Sequence, residues 1–268
     1  SDLGAVPTLT SPTIRPPTKA DMTTEYDLYI DGQFRREPGQ ERFPAVNPFS
    51  REAWASIPQA SDAQVADAIR AARTAFDKTW SRTPGLERAR LLNRLADLLE
   101  GQADRMAALE STDNGKVIRE TSGQMRFAAR QYRFYAGYAD KLWGRYLPLD
   151  QREVFDISQR VPVGVAVLIT AWNSPMGLLA NKLGPALAAG NCVVVKPSEH
   201  ASGTTLEFAK LVHEAGFPPG VVNVVTGDAR VGRALLAGGR VDRVSFTGSP
   251  GVGREIAAAA GRLLVPVT

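Results

Sequence analysis

Three clusters of residues in this chain have types and spacings suited to chemistry. Asn173 lies in Ile169-Thr-Ala-Trp172-Asn173-Ser-Pro175, directly after an apolar, strand-like run from Val161 to Thr170. Strand-to-helix transitions form the edge at which open α/β sheets bind ligands. An uncharged amide at that edge can donate N–H bonds to an oxygen that turns negative during reaction. The same amide can equally cap the helix that follows. Lys196 ends the next apolar run, and Glu199 closes Lys196-Pro-Ser-Glu199. A carboxylate there can accept from both hydroxyls of a ribose and repels a 2′-phosphate, which favours NAD; the ammonium works in the opposite sense and leaves NADP open. A solvated surface ion pair has the same signature. The third cluster, Phe246-Thr-Gly248-Ser249-Pro-Gly251-Val-Gly253, follows a strand and opens a helix. Glycines in that setting admit backbone N–H groups to a diphosphate. The spacing departs from G-x-G-x-x-G, so a helix start capped by Ser249 accounts for it as well.

Cys192 is the one thiol among 268 residues, which excludes a disulfide scaffold and a cysteine-built zinc site. It opens the β-branched run Cys192-Val-Val-Val195, and a thiol in a buried strand is inert rather than nucleophilic. No metal is expected. The chain is 44% hydrophobic and 22% charged, enough for a large core. Its net charge of +4 comes from basic residues scattered among acids, which sets nucleic acid aside. No apolar run approaches the ~20 residues of a membrane span, and no signal segment opens the chain. The expected setting is cytoplasmic, with no membrane partner.

The elements that must position these residues can be read in order. Residues 1–21 are rich in Pro, Ser and Thr and poor in large apolar side chains, and read as a disordered tail or cloning remnant. Tyr26 to Ile30 alternates like a strand, and Asp31-Gly32 signals a hairpin. Ser61-Asp-Ala-Gln64 has the form of a capping box, opening a helix through Val65, Ile69, Ala72 and Phe76. Leu91, Leu92, Leu95, Leu98 and Leu99 form an apolar stripe of a core-facing helix. Glu110 to Lys116 ends a helical region at a glycine, and a further helix carries Phe127, Tyr132, Phe134, Tyr135 and Tyr138, a stripe that reads as packing or interface. Residues 143–160 read as a projecting hairpin. Strands and helices then alternate strictly: strands over Val161–Thr170, Asn191–Lys196, Val221–Thr226 and Val241–Phe246, with helices over Leu178–Ala189, Thr204–Ala215, Val231–Ala237 and Gly253–Leu264. The pattern implies an α/β fold, a Rossmann-like parallel sheet with helices on both faces, preceded by an N-terminal helical region.

These residues also carry a family resemblance. Trp172-Asn173-Ser-Pro175, Lys182-Leu-Gly-Pro-Ala-Leu187, Lys196-Pro-Ser-Glu199, Glu214-Ala-Gly-Phe-Pro-Pro-Gly-Val-Val-Asn223 and Phe246-Thr-Gly-Ser249, with Asp113-Asn-Gly-Lys116 upstream, resemble the aldehyde dehydrogenase superfamily. The resemblance implies that Asn173 is an oxyanion-hole amide, that Lys196 and Glu199 hold the adenosine ribose, and that Gly248 and Ser249 meet the diphosphate. It implies that Ile169 and Trp172 line the cofactor cleft and that Lys182 stands near the catalytic centre, as a proton relay or in a structural ion pair. In the family a cysteine attacks the aldehyde, hydride passes to NAD, and a glutamate-activated water releases the acid.

The resemblance also implies what these residues lack. The general-base glutamate would follow Val265-Pro-Val-Thr268 and the nucleophilic cysteine would come later still. The expected organisation is a dinucleotide-binding domain over 22–142 and 161–268, its last strand cut short, with an oligomerisation-type hairpin at 143–160. The expected function is NAD(P)-dependent oxidation of a small-molecule aldehyde by the full-length protein, as a homo-oligomer, with this portion binding cofactor but inactive alone. The alternative is a non-catalytic dinucleotide-binding or assembly module.

Overall fold

A computed structural model describes residues 24–237 and 240–268. The tail expected at residues 1–21 lies outside the described residues. Thr24–Glu25 (β1), Leu28–Ile30 (β2), Gln33–Arg35 (β3), Arg42–Val46 (β4) and Ala53–Pro58 (β5) come first. They precede the helices Asp62–Lys78 (α1), Gly85–Gly101 (α2), Ala103–Asn114 (α3) and Ile118–Ala136 (α4). Arg145–Leu147 (β6) and Asp156–Ser158 (β7) pair as an antiparallel hairpin with every residue exposed. The alternating region follows as Val165–Ile169 (β8), Pro175–Ala188 (α5), Cys192–Lys196 (β9), Gly203–Ala215 (α6), Val222–Val224 (β10), Ala229–Ala237 (α7), Arg243–Phe246 (β11) and Pro250–Arg262 (α8).

The main sheet has the order β11-β8-β9-β10-β2-β3. Its first four strands run parallel, and the β2–β3 hairpin extends the sheet antiparallel at β10. Asp31 and Gly32 turn that hairpin with φ of 55° and 74°, the left-handed pair a tight primed turn requires. At the other edge Val267 bridges Val244 in parallel, so the final residues lie beside β11. Every residue of β8 and β9 is buried, because α1 packs on one face of the sheet and α5 and α6 on the other. Helices α2, α3 and α4 form a further layer against α5 and α6. A smaller sheet, β1-β5-β4, stands apart from the main one.

Local sequence signals explain most element ends. The Ser61 hydroxyl accepts from the Gln64 N–H at 3.2 Å while the Gln64 side chain accepts from the Ser61 N–H at 3.0 Å, a complete capping box on α1. Gly115, at φ 76°, ends α3 in the left-handed conformation. In α2, Leu92, Leu95 and Leu99 are fully buried, each such burial contributing about 1.5–3 kcal/mol. Leu98, the least covered of the stripe, is partly buried and packs against the same core. The aromatic stripe of α4 divides: Tyr132 is fully buried and stacks on Phe208, whereas Phe127, Phe134 and Tyr138 are exposed.

The strand expected from Val161 begins only at Val165. Pro162 cannot donate to a ladder, and Gly164 adopts φ 137°. The Asn191 side-chain Oδ1 instead accepts from the N–H groups of Val163 and Gly164, at 2.7 and 3.0 Å.

Candidate cofactor cleft

The strand order fixes where a site can form. Successive strands β8, β9 and β10 advance in one direction across the sheet, and β11 then returns to the opposite side of β8. The loops leaving the C-terminal ends of β8 and β11 therefore part in opposite directions, the switch point at which open α/β sheets bind ligands. A cleft of about 1020 Å³ lies there. Its walls come from the end of β8 (Ile169, Trp172, Asn173), the end of β9 (Lys196, Glu199), α7 (Gly232) and the β11–α8 turn (Phe246, Gly248, Ser249).

Seven of the residues singled out from sequence thus meet in one cleft. Lys182 does not join them. It lines a separate cavity of about 300 Å³ with Asn181, Arg243, Ser245 and Thr268, and the two cavities share no lining residue. Its ammonium donates to the Ser245 hydroxyl at 2.8 Å, and burial lowers its pKa to about 8. No carboxylate pairs with it among the described residues.

Lys196 is 5% exposed, not the solvated partner of a surface pair. Its Nζ donates to the Pro197 carbonyl at 3.1 Å and stands 3.8 Å from the Glu199 carboxylate. Burial pushes its pKa down, and Glu199 and Asp228 oppose that shift. An ammonium with three donors and one close hydrogen bond retains capacity for a ligand. Thr170 Oγ1, buried on the same wall, has no hydrogen-bond partner among the described residues. At the opposite wall Ser249 caps α8, its hydroxyl accepting from the Val252 N–H at 3.4 Å. Pro250 brings no N–H to that first turn, and the Gly253 N–H bonds back to the Ser249 carbonyl at 3.0 Å.

Asn173 does not cap α5; Ser174 holds the N-cap position. The Asn173 side chain is exposed on the cleft wall with no hydrogen bond to another described residue. Ser174 makes no side-chain cap either. Its hydroxyl accepts from Lys116 Nζ at 3.0 Å and lies 3.0 Å from the Gln124 amide oxygen when the Gln124 nitrogen faces Glu110 Oε1 at 2.7 Å. Glu110 Oε2 then accepts from the Met176 N–H at 3.3 Å, and Asn114 Nδ2 donates to the Trp172 carbonyl at 3.1 Å. Sequence reasoning assigns no role to Glu110, Asn114 or Lys116. Their one signal is the polar run Glu110 to Lys116 at a helix end, rich in groups that a surface turn would not need.

Glu110 is fully buried, and burial raises its carboxyl to about 7; the Met176 N–H and Lys116 oppose the rise and Asp113 adds to it. A carboxyl raised on folding binds more protons folded than unfolded, so its contribution to stability is present below its ordinary pKa and declines as pH rises towards 7. The difference in thermal stability between Glu110→Gln and the parent chain should therefore move in favour of the variant from pH 5 to pH 8, by up to about 3 kcal/mol. Melting curves across that range check it, and a pH-independent difference would contradict the assignment.

The family model described as "Aldehyde dehydrogenase family" matches residues 34–268. The chain belongs to the aldehyde dehydrogenase family. A dehydrogenase of (Z)-2-((N-methylformamido)methylene)-5-hydroxybutyrolactone from Acinetobacter baylyi is 48% identical over 87% of this chain, and human mitochondrial aldehyde dehydrogenase is 42% identical over 87%. The match takes in 48% and 46% of those proteins, so this chain spans about half the length of its aldehyde dehydrogenase relatives. Among solved structures, a Staphylococcus aureus betaine aldehyde dehydrogenase variant in complex with NAD+ superposes with a TM-score of 0.87 at 31% identity, covering 90% of this chain and 49% of that one. A putative aldehyde dehydrogenase from Burkholderia cenocepacia gives 0.88 at 37% identity, covering 90% and 51%.

Proposed function

We propose that this chain supplies NAD binding and the oxyanion-stabilising amide to an enzyme that oxidises an aldehyde to a carboxylic acid. The observation that supports the reading best is the cleft at the switch point, where a buried, under-bonded Lys196, the Glu199 carboxylate and the first turn of α8 converge. In this reading Lys196 and Glu199 hold the adenosine ribose, Gly248 and Ser249 meet the diphosphate, and Ile169 and Trp172 border the nicotinamide end. NAD, when bound, provides the acceptor for the hydride that leaves the aldehyde carbon. Asn173 donates its amide N–H to the substrate oxygen as negative charge develops there, an interaction worth about 10²–10³ in rate in comparable sites. Glu199 disfavours a 2′-phosphate, so NAD is preferred to NADP.

These 268 residues bind cofactor without completing oxidation. Their single thiol, Cys192, is fully buried in β9, and burial pushes it up to about 12, so it has no thiolate to offer. Calorimetric titration of the chain with NAD and with NADP tests the binding. Saturable one-to-one binding of NAD, weaker for NADP, is expected; no heat with either sinks the reading. NADH absorbance with NAD and a panel of aldehydes tests the second part, and turnover above background would refute it.

The hairpin β6–β7 is the proposed contact for self-association. Trp143, Tyr146, Phe155 and Ile157 are all more than half exposed there, and clustered exposed apolar side chains mark interfaces. Light scattering should give a mass above the 28.9 kDa of one chain, with Phe155→Asp shifting it downward. A monomer at all concentrations would rule this out.

A further inference from the structure

We infer that the last turn of α3 and the turn that follows it are a clamp that positions both cofactor-facing loops, with Glu110, Asn114 and Lys116 as positioning residues for the turn that carries Asn173. The inference rests on the cofactor reading of the cleft, although none of the three residues lines it. The segment Trp172-Asn173-Ser174 has little local means of holding its shape. Ser174 does not cap α5, Pro175 has no N–H, and Asn173 makes no hydrogen bond within the described structure. Order comes instead from residues about sixty positions away in sequence. Asn114 fixes the Trp172 carbonyl on one side of Asn173, Lys116 fixes the Ser174 hydroxyl on the other, and Glu110 takes the Met176 N–H that a local cap would have taken. The carboxylate also lies near the start of α5, where the helix dipole favours negative charge.

The same turn reaches the second loop. Asp113, 1% exposed, accepts from the Thr204 N–H at 3.1 Å in the first turn of α6, the helix that follows Lys196-Pro-Ser-Glu199. Adjacent α3 residues therefore tether the starts of α5 and α6. Gly115, in the left-handed conformation, turns the chain so that the Lys116 N–H meets Asn114 Oδ1 at 2.9 Å, which orients the Asn114 amide with its nitrogen towards Trp172. Geometry at the oxyanion position and at the ribose pair is thus set from one rigid element outside the cleft.

Hydrogen exchange of the 268-residue chain, with and without NAD, tests this. Asn114→Asp is nearly isosteric and keeps the acceptor for Lys116 while losing the donor to Trp172. It should speed amide exchange within residues 171–177 by about tenfold, the equivalent of one tertiary hydrogen bond removed. Lys116→Met and Glu110→Ala should act on the same amides, while β8 and α2 keep parent rates. Glu110→Gln, which retains the acceptor, should restore near-parent exchange. NAD affinity should fall several-fold in Asn114→Asp and hold in Glu110→Gln. A merely structural role would spread faster exchange through β8 and α2 and give no rescue by glutamine; that outcome, or unchanged exchange at 171–177 in Asn114→Asp, overturns the clamp. If the parent chain binds no NAD, the cofactor reading fails, and the exchange rates still decide whether the clamp exists.

Discussion

Lys196→Ala is expected to weaken NAD binding about ten- to a hundredfold, the range for a hydrogen bond to a charged group. The expectation follows from how little of the ammonium's capacity the protein itself uses. Nζ is buried, holds one carbonyl closely, and stands at the outer limit of contact with Glu199. A charge kept out of water in that state costs stability, as its lowered pKa attests. Lys196→Ala should therefore not lower the melting temperature in proportion to the drop in affinity. Lys196→Met separates the two effects further, because it keeps most of the buried apolar stem while removing the donor. Calorimetric affinities measured beside melting curves check this. Equal affinity in parent and alanine variant would remove Lys196 from the ribose site.

The second large effect is expected at Gly248. A β-carbon built on Gly248 would stand 2.4 Å from the Phe246 ring, and one on Gly253 would stand 3.4 Å from the same ring. Phe246 therefore lies folded into the β11–α8 turn, and the absence of side chains there lets the turn close. Gly248→Ala must displace either the ring or the backbone, at a cost of about 1–3 kcal/mol. Either displacement moves the first turn of α8, so NAD affinity should fall at least about tenfold, as expected when one charge-assisted hydrogen bond is broken. The companion change Phe246→Leu shortens the obstructing side chain. The double variant Gly248→Ala/Phe246→Leu should recover stability relative to the single alanine variant, a coupling a double-mutant cycle measures. Additive losses would show that the glycine is not there to seat the ring.

Much of this architecture is legible in sequence because it is local. The capping box at Ser61, the hairpin at Asp31-Gly32, the glycine stop at Gly115 and the alternation of apolar strands with helices all depend on neighbours within a few residues, and the structure has them. Element ends are less legible. Helix α5 starts at Pro175 and α8 at Pro250, earlier than apolar periodicity suggests, since proline at a helix start needs no N–H partner. That this hairpin joins the main sheet, antiparallel at β10, is not announced by the sequence, because nothing in the spacing of Tyr29 and Phe34 says which edge they join.

The site divides along the same line. By sequence Lys196 is either a ribose ligand or a solvated ion partner, and burial from both faces of the sheet removes the second description. Asn173 is by sequence either an oxyanion donor or a helix cap, and Ser174 holds the cap position. Lys182, placed near the chemistry by resemblance, lines a cavity separate from the cofactor cleft, together with Thr268. The ties from Glu110, Asn114 and Lys116 to the β8–α5 loop are illegible in sequence, because each joins residues more than fifty positions apart and is made by polar side chains that ordinarily face water.

The most direct test of the account is a crystal structure of this chain grown with NAD. The adenosine ribose hydroxyls should lie within hydrogen-bonding distance of Lys196 Nζ and the Glu199 carboxylate, the diphosphate at Gly248 and Ser249 on the first turn of α8, and the nicotinamide towards Trp172 and Asn173. Dinucleotide bound elsewhere, or a cleft without it at saturating NAD, would contradict the assignment of this switch point as the cofactor site.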